Sequence, residues 1–195
     1  MDSAPPASQR ARVKSSLSLP AAAYALFAKH GFDATTIAQI AATADVSPRT
    51  VTLYFPSKLD LALSRFHAFA DRLAAALRER EEDWTTLDAL EHWLRGEIAH
   101  RSELDGLAER MLATNPQLRA VAGARLTDVV QDAVRMLAKE QGGAPGDFGP
   151  RIAAAAAAAV IGEAVHRPEA ADIDTAMAFL RAGVATLPSA ADHRS

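Results

Sequence analysis

The amino-acid sequence predicts an all-α protein, and three observations support this fold class. The chain is rich in alanine and leucine, which favour helices, and it has few runs of the β-branched residues that favour strands. Apolar residues recur at helical spacing along most of the 195 residues, and no segment alternates apolar and polar residues as a strand would. Helix caps and helix-ending Gly or Pro residues separate the periodic segments. We therefore expect a small N-terminal unit of three helices followed by a larger helical domain.

The composition argues against several classes of protein. The absence of cysteine excludes disulfides, thiolate metal sites and cysteine nucleophiles. No uncharged apolar run reaches the roughly 18 residues of a membrane span, and the N-terminus has no apolar signal core, so we expect a cytoplasmic protein without membrane contact. The motifs G-x-S-x-G, G-x-x-x-x-G-K-[ST] and H-E-x-x-H do not occur, so we expect neither an enzyme nor a cofactor.

The charge is unevenly distributed along the chain. Residues 1–60 contain six Lys/Arg and four Asp/Glu, a net charge of +2, whereas the remaining 15 basic and 20 acidic residues give −5. A basic N-terminal segment followed by an acidic remainder is consistent with a protein whose N-terminal part contacts a polyanion.

The first 30 residues divide into an arm and a helix. Residues 1–16 are rich in Pro, Ser and Ala and carry Arg10, Arg12 and Lys14, which predicts a flexible basic arm. A first helix is predicted from about Leu19 to His30, because Pro20 is tolerated in a first turn and Gly31 is a common helix end.

Two short helices follow. A T-x-x-Q capping box opens the second helix at Thr36, and this helix ends near Ala44. Ser47 caps a third helix with Pro48 at its first position, and this helix runs to about Phe55.

The rest of the chain reads as longer helices. They are separated by Thr-Asn-Pro at 114–116, by the loop GGAPGDFG and by Arg167-Pro168. The predicted helices span about 57–80, 85–101, 103–113, 116–141, 150–166 and 171–187.

The second and third helices form a helix-turn-helix by their spacing. Ile37, Ile40 and Ala41 lie on one face of the second helix, and the small Ala41 allows a close crossing. Asp45 occupies the turn position that favours a positive φ, which Asp tolerates better than most residues. Two short helices joined by such a tight turn are typical of DNA-binding proteins.

The outward face of the third helix suits a DNA major groove. Arg49 can pair with guanine O6 and N7, and Thr50 or Thr52 can reach a phosphate, a base edge or a thymine methyl group. Lys58, in the first turn of the fourth helix, is placed to bind a phosphate.

The segment ALFAKHGFDATTIAQIAATADVSPRTVTLYFPSKLDL, residues 25–61, resembles the DNA-binding domain of the TetR family of bacterial transcriptional regulators. The resemblance implies a homodimer that binds a palindromic operator in double-stranded DNA. It also implies a C-terminal domain that binds a small-molecule effector. Most members of the family are repressors that leave the operator when the effector binds. Carried over by position, with the neighbouring Pro48 and Thr52 on the same face, the DNA contacts are Thr36, Ser47, Pro48, Arg49, Thr50, Thr52, Tyr54 and Lys58. This chain departs from the family pattern at Thr52, where an aromatic residue is common, at Asp45, where Gly is usual, and at Pro20.

The resulting domain prediction has four parts. Residues 1–16 are the arm, 17–56 the helix-turn-helix domain, 57–188 the effector-binding and dimerisation domain, and 189–195 a tail. In the proposed mechanism, an effector among helices four to seven moves the fourth helix and changes the spacing of the two recognition helices in a dimer.

Two surfaces of the larger domain are predicted from apolar spacing. An a/d seam in the last helix predicts a dimer interface, with internal packing against the preceding helix as the alternative. An effector pocket is predicted from large apolar residues, with ordinary core packing as the alternative, and it suggests a hydrophobic effector. The interface residues are Ile173, Met177, Leu180, Val184 and Leu187, and the pocket residues are Phe66, Phe69, Trp84, Trp93, Leu107, Met111 and Met136.

One alternative function belongs to another class. Glu97 and His100, and again Glu163 and His166, form E-x-x-H motifs on predicted helices. Two such motifs, with a Glu from each of two further helices, hold a di-metal carboxylate site in some four-helix bundles. The sequence fixes no further carboxylates, so no metal site is assigned.

Overall fold

The computed structural model describes residues 7–168 and 172–187, and within residues 7–18 and at Arg125 it describes the backbone only. The described part is helical, with no strand, which confirms the all-α prediction. The helices are α1 Ala7–His30, α2 Ile37–Thr43, α3 Pro48–Tyr54, α4 Lys58–Arg78, α5 Thr86–Ala99, α6 Glu103–Thr114, α7 Pro116–Glu140, α8 Phe148–His166 and α9 Ile173–Ala185.

The predicted caps of the short helices are confirmed. The Thr36 side chain caps α2 in a reciprocal capping box with Gln39. Ser47 caps α3, and Pro48 stands at its first position, where the missing N–H removes no helical hydrogen bond. Ala44 and Phe55 end the two helices as expected.

The predicted start of the first helix is wrong. Helix α1 begins at Ala7 rather than Leu19, so Pro20 lies inside the helix and residues 7–16 are not an irregular arm. A proline in a helix interior costs about 3 kcal/mol, but residues 7–19 consist mainly of good helix formers and contain no other breaker. Residues 1–6 of the predicted arm, and the predicted tail at 189–195, lie outside the described residues.

The contacts divide the chain into two compact units. The first unit comprises residues 1–68 and 102–123, and the second comprises residues 69–101 and 124–195. The predicted boundary between residues 56 and 57 separates a DNA-binding part from an effector-binding part. It concerns function rather than packing, and it stays a prediction. The first core is formed by fully buried side chains that include Leu19, Tyr24, Phe27, Ile40, Val51, Leu61 and Leu118. The second core includes Leu73, Leu90, Trp93, Leu94, Ile161, Met177 and Leu180.

Helix α8 is the apolar helix of the second unit. By length and composition it is the one described helix that could cross a membrane, and a third of it is buried inside the protein. A core helix of a soluble protein passes the same test, and Ala153, Ala154 and Ala157 of α8 are buried in the second unit.

Candidate nucleic-acid interface and effector cavity

The turn between α2 and α3 has the geometry predicted from the sequence. Asp45 adopts φ 55°, in the left-handed region. The Val46 N–H donates to the Ala41 carbonyl at 2.9 Å, and Ala41 is 1% exposed where the two helices cross. The turn therefore fixes the direction in which α3 leaves α2, as in a helix-turn-helix.

The start of α3 is held by its own hydroxyl groups. The Thr50 backbone N–H donates to Ser47 Oγ at 3.1 Å, and the two hydroxyl oxygens lie 2.8 Å apart. Ser47 and Pro48 are exposed and Thr50 is half-buried. The groups that cap the helix are thus also present at its surface, at the end where backbone N–H groups attract a phosphate.

The outward face of α3 presents both polar and apolar groups. Arg49 and Thr52 are exposed, and the Thr52 hydroxyl donates to the Arg49 carbonyl at 3.1 Å. The Thr52 hydroxyl proton is therefore used within the helix. The oxygen lone pairs and the methyl group of Thr52 remain available to contact a base edge. Leu53, one turn after Arg49, is 72% exposed although it is a large apolar residue. Leu53 was not predicted as a contact residue, and its position on the Arg49 face was the available signal.

Thr36 and Tyr54 stand at the edges of this surface. Thr36 is exposed at the start of α2, with its hydroxyl 3.0 Å from Gln39 Oε1. Tyr54 is half-buried and packs against the first core. Their DNA contacts, like those of the α3 residues, stay predictions.

Lys58 has a structural task that the sequence did not reveal. Its ammonium group donates to the carbonyls of Phe32 at 2.8 Å, Thr35 at 2.9 Å and Asp33 at 3.4 Å. It also lies 4.3 Å from the centre of the Phe32 ring. An ammonium group has three N–H donors, and these contacts engage all three. Lys58 therefore ties the α1–α2 loop to the start of α4, and its predicted phosphate contact stays a prediction.

Asn115 supports the same loop from the junction of α6 and α7. It is 1% exposed; its Oδ1 accepts from the Phe32 N–H at 2.7 Å, and its Nδ2 donates to the Met111 and Phe27 carbonyls at 2.8 and 3.1 Å. Gly31, with φ 86°, turns the chain between these contacts. The sequence did not reveal this role of Asn115, because an Asn that precedes a Pro is typical of the end of a helix and indicates no long-range contact.

Two further groups fix α4 within the first unit. The Tyr24 hydroxyl lies 2.8 Å from Ser64 Oγ, and burial raises its pKa. Arg65 binds Asp105 with both arms of its guanidinium group. Burial alone would raise the pKa of Asp105, but hydrogen bonds from Arg65 and Ser102 outweigh it and hold this pKa at about 2.

The second unit contains an apolar cavity of about 40 Å³. Apart from Thr86, its lining side chains are aliphatic and uncharged. They are Leu73, Leu77, Thr86, Leu87, Leu90, Leu126, Val129, Val130, Ala133, Leu137, Ala154, Ala157, Ala158 and Ile161. Small-molecule sites commonly measure about 300–1,000 Å³, so this cavity is too small to hold such a ligand without displacing its lining side chains.

None of the seven residues predicted for the effector pocket lines this cavity. Phe66, Leu107 and Met111 pack in or against the first core. Phe69, Trp84, Trp93 and Met136 pack in or against the second core, to which many of the cavity-lining residues also belong. The packing matches the alternative of ordinary core, and contact with an effector stays a prediction for each.

The E-x-x-H motifs are occupied by other contacts. Glu97 binds Arg72 with both oxygens, at 2.6 and 2.8 Å, and Glu163 lies 3.6 Å from Arg167. His100 Nδ1 lies 2.9 Å from the Gly96 carbonyl, and His166 Nδ1 lies 2.8 Å from that of Gly162. Within residues 7–168 and 172–187, no group of three His, Asp or Glu side chains could hold a metal ion.

The predicted dimer seam of α9 is used within the protein itself. Met177 and Leu180 are each 2% exposed, and Ile173 and Val184 pack against the same core. Met177 and Leu180, buried in their own protomer, have little surface left for a partner, which matches the alternative of internal packing. For Ile173, Val184 and Leu187, which are half-buried, a partner contact stays a prediction.

Other apolar residues of α8 and α9 are exposed. Phe148 is 72%, Ile152 42% and Phe179 67% exposed, and Ala155 and Ala159 continue the exposed stripe of α8. Both helices therefore carry large apolar side chains that are exposed within the protomer.

Comparisons with known proteins agree with this geometry. Residues 19–64 match the family of bacterial regulatory proteins called the tetR family. The chain is 30% identical over 152 residues to the HTH-type transcriptional regulator TcmR of Streptomyces glaucescens. The matched region covers 73% of this chain and 67% of TcmR.

Two solved structures share the fold. Native NalD, described as the secondary repressor of the MexAB-OprM multidrug efflux pump in Pseudomonas aeruginosa, gives a TM-score of 0.59 at 23% identity, covering 89% of this chain and 96% of NalD. The SmeT–triclosan complex gives a TM-score of 0.60 at 20% identity, covering 86% of this chain and 90% of SmeT. These matches favour the regulator over the di-metal alternative. The chain belongs to the tetR family of bacterial regulatory proteins, and it is a DNA-binding transcriptional regulator.

Proposed function

We propose that this protein is a cytoplasmic repressor that binds a palindromic operator as a homodimer and is released by a small apolar effector. The observation that carries the proposal is the exposed face of α3, with Arg49, Thr52 and Leu53 on a short helix directed by the Asp45 turn. A helix of this length fits the major groove, where base edges are distinguishable.

The roles of the DNA-contacting side chains follow from their chemistry. Arg49 pairs with guanine O6 and N7, the commonest specific contact to DNA. Thr36, Ser47 and Thr50 approach phosphates through hydroxyl groups at the N-termini of α2 and α3, where the helix dipoles favour negative charge. Pro48 lies against the sugar–phosphate backbone, and Tyr54 donates a hydrogen bond to it.

Homodimerisation is supported by the exposed apolar residues of α8 and α9. Phe148, Ile152 and Phe179 and the small Ala155 and Ala159 are all exposed on these two helices, and a second copy can pack against them. Two helices from each copy make a four-helix interface with two-fold symmetry. A two-fold dimer reads a palindrome because each recognition helix meets an identical half-site.

Release by an effector is supported by the cavity and by the continuity of α4. Leu73 and Leu77 of α4 line the cavity, and α4 is one unbroken helix from Lys58 to Arg78. A ligand larger than the cavity must displace these side chains, and a continuous helix carries that displacement along its length. In a dimer such a shift changes the spacing of the recognition helices away from the DNA turn. An effector that binds tightly without changing operator affinity would contradict this mechanism.

The uncharged lining of the cavity indicates the nature of the effector. A charged ligand would lose its hydration without a compensating partner among the lining side chains. The complex of the structural relative SmeT with triclosan supports an apolar effector for the present protein.

The first experiment is selection of bound fragments from random duplex DNA by the purified protein at a stated physiological salt concentration. A two-fold-symmetric motif is expected. Enrichment of an asymmetric motif would contradict the dimer, and no enrichment above non-specific binding would contradict the assignment of α3 as a base-reading helix.

The dimer has its own test. We expect Phe179→Asp to convert the protein to a monomer in size-exclusion chromatography with light scattering and to abolish binding to the two-fold motif. Val121→Asp is the matched control, because Val121 is also a large exposed apolar residue, 45% exposed, but lies in α7. A Phe179→Asp protein that remains dimeric would exclude this surface as the interface.

A further inference from the structure

The second unit buries a hydrogen-bond donor that has no acceptor. Trp93 is 7% exposed, and its indole Nε1–H has no partner; the other such buried atom among the described residues is Gln141 Oε1, an acceptor. Leaving a buried donor unpaired costs about 1–3 kcal/mol, so such groups are rare and call for an explanation.

Trp93 packs in the same apolar core as residues that line the cavity. It belongs to the cluster that contains the cavity-lining Leu73, Leu90 and Ile161. Helix α5 rises about 1.5 Å per residue, so Trp93 stands about 4.5 Å along the axis from Leu90, on the same buried face. The ring of Phe69, one turn before Leu73 on α4, contacts Trp93 edge-on at 5.0 Å. Neither ring lines the cavity, but both pack in or against the core whose residues form its walls.

The polar groups at Thr86, also on the cavity wall, are already satisfied. The Thr86 hydroxyl and backbone N–H donate to Glu140 Oε1 at 2.7 and 2.8 Å. Arg80 donates to the same oxygen at 3.1 Å and to the carbonyl of the cavity-lining Leu77 at 2.9 Å. No donor of the lining side chains remains for a ligand, and the unpaired indole N–H of Trp93 is a donor in the same core that a ligand enlarging the cavity could reach.

We infer that the effector is an uncharged aromatic or alicyclic molecule that carries a hydrogen-bond acceptor, such as a carbonyl or ether oxygen, which binds Trp93 Nε1–H. This inference rests on the proposed function, because it specifies the ligand of the same cavity. The aliphatic walls hold the apolar body, and the acceptor supplies the partner that the indole lacks. An anionic group is disfavoured, because the lining offers no charge to pair with it.

The test uses two probes of nearly the same shape, acetophenone and α-methylstyrene, which differ by a carbonyl oxygen in place of a CH₂ group. The 195-residue chain has two tryptophans, so its ¹H–¹⁵N spectrum contains two indole resonances, which Trp84→Phe and Trp93→Phe assign. We expect acetophenone to move the Trp93 indole proton downfield and to bind about 3–10-fold more tightly than α-methylstyrene, the gain from one neutral hydrogen bond.

The variants complete the design. Trp93→Phe keeps an aromatic ring and removes the donor, and it should abolish the preference for acetophenone. Trp84→Phe is the matched control and should retain that preference. Equal affinity for the two probes, binding of neither, or a preference that survives in Trp93→Phe would overturn the inference.

Different assays test the inferred class of ligand and the proposed regulatory function. Operator binding is measured separately, with the two-fold motif from DNA selection. If acetophenone binds at Trp93 but leaves operator affinity unchanged, the ligand class stands and release by the effector fails. If the motif is found but neither probe binds, the ligand class alone is wrong.

Discussion

Replacing Lys58 by methionine separates a structural role from a DNA-contacting role. The side chain keeps most of its length and loses its charge and its three N–H donors. Two of the three acceptors lie at 2.8 and 2.9 Å, and a hydrogen bond to a charged group contributes about 1.5–3 kcal/mol. The Phe32 carbonyl retains the Thr35 N–H at 3.3 Å. We therefore expect a loss of about 2–4 kcal/mol of the free energy of unfolding.

The assay compares thermal unfolding with the salt dependence of DNA binding. For a chain of this length, 1 kcal/mol corresponds to about 2–4 °C, so the Tm of Lys58→Met should fall by roughly 5–15 °C. The slope of log Kobs against log salt should stay unchanged, because no phosphate contact is lost; losing one such contact would reduce it by about 0.9.

Lys29→Met is the matched control for this experiment. Lys29 is exposed in the last turn of α1, and its replacement causes the same change of net charge. A Lys58→Met protein that unfolds at the same temperature as Lys29→Met, with a salt slope lower by about 1, would contradict this structural role of Lys58. That result would support the phosphate contact predicted from the sequence.

Three further predictions concern the first unit. Asn115→Ala removes the acceptor of the buried Phe32 N–H and should destabilise the protein by about 2–4 kcal/mol in urea unfolding, whereas the exposed neighbour Gln117→Ala should change stability little. Arg49→Ala should relax base specificity at one operator position at a cost of about 1–3 kcal/mol; a uniform loss over all sequences would contradict base reading. Because the folded-state pKa of Asp105 is depressed to about 2, its stabilisation is complete above about pH 4 and is lost as the pH falls towards 2. Asp105→Asn should flatten the acid branch of the stability curve, and an unchanged acid branch would exclude that contribution.

The elements predicted from caps and turns agree closely with the structure. Thr36, Ser47 and Asp45 act through neighbours within four residues, so the local sequence contains the information. The predicted start of α1 was wrong because Pro20 was interpreted as lying in the first turn of the helix, whereas the helix begins 13 residues before it.

The contacts that the sequence did not predict are long-range. Lys58 binds carbonyls 23 to 26 positions earlier in the chain, and Asn115 binds Phe32 83 positions away. The a/d spacing of Met177 and Leu180 identified a buried face correctly, but spacing does not state which helix covers it. For the same reason the large aromatic residues did not locate the cavity, which is lined mainly by Leu, Val and Ala.

The left-handed residue in the turn has a consequence for how this regulator can evolve. Asp45 holds φ 55° with a side chain, and it lies three residues before α3, the helix proposed to meet the DNA. Glycine would relax the backbone and remove the repulsive charge, and a single-nucleotide substitution converts an aspartate codon into a glycine codon. We therefore expect Asp45→Gly, one mutational step away, to bind the operator more tightly than the present protein.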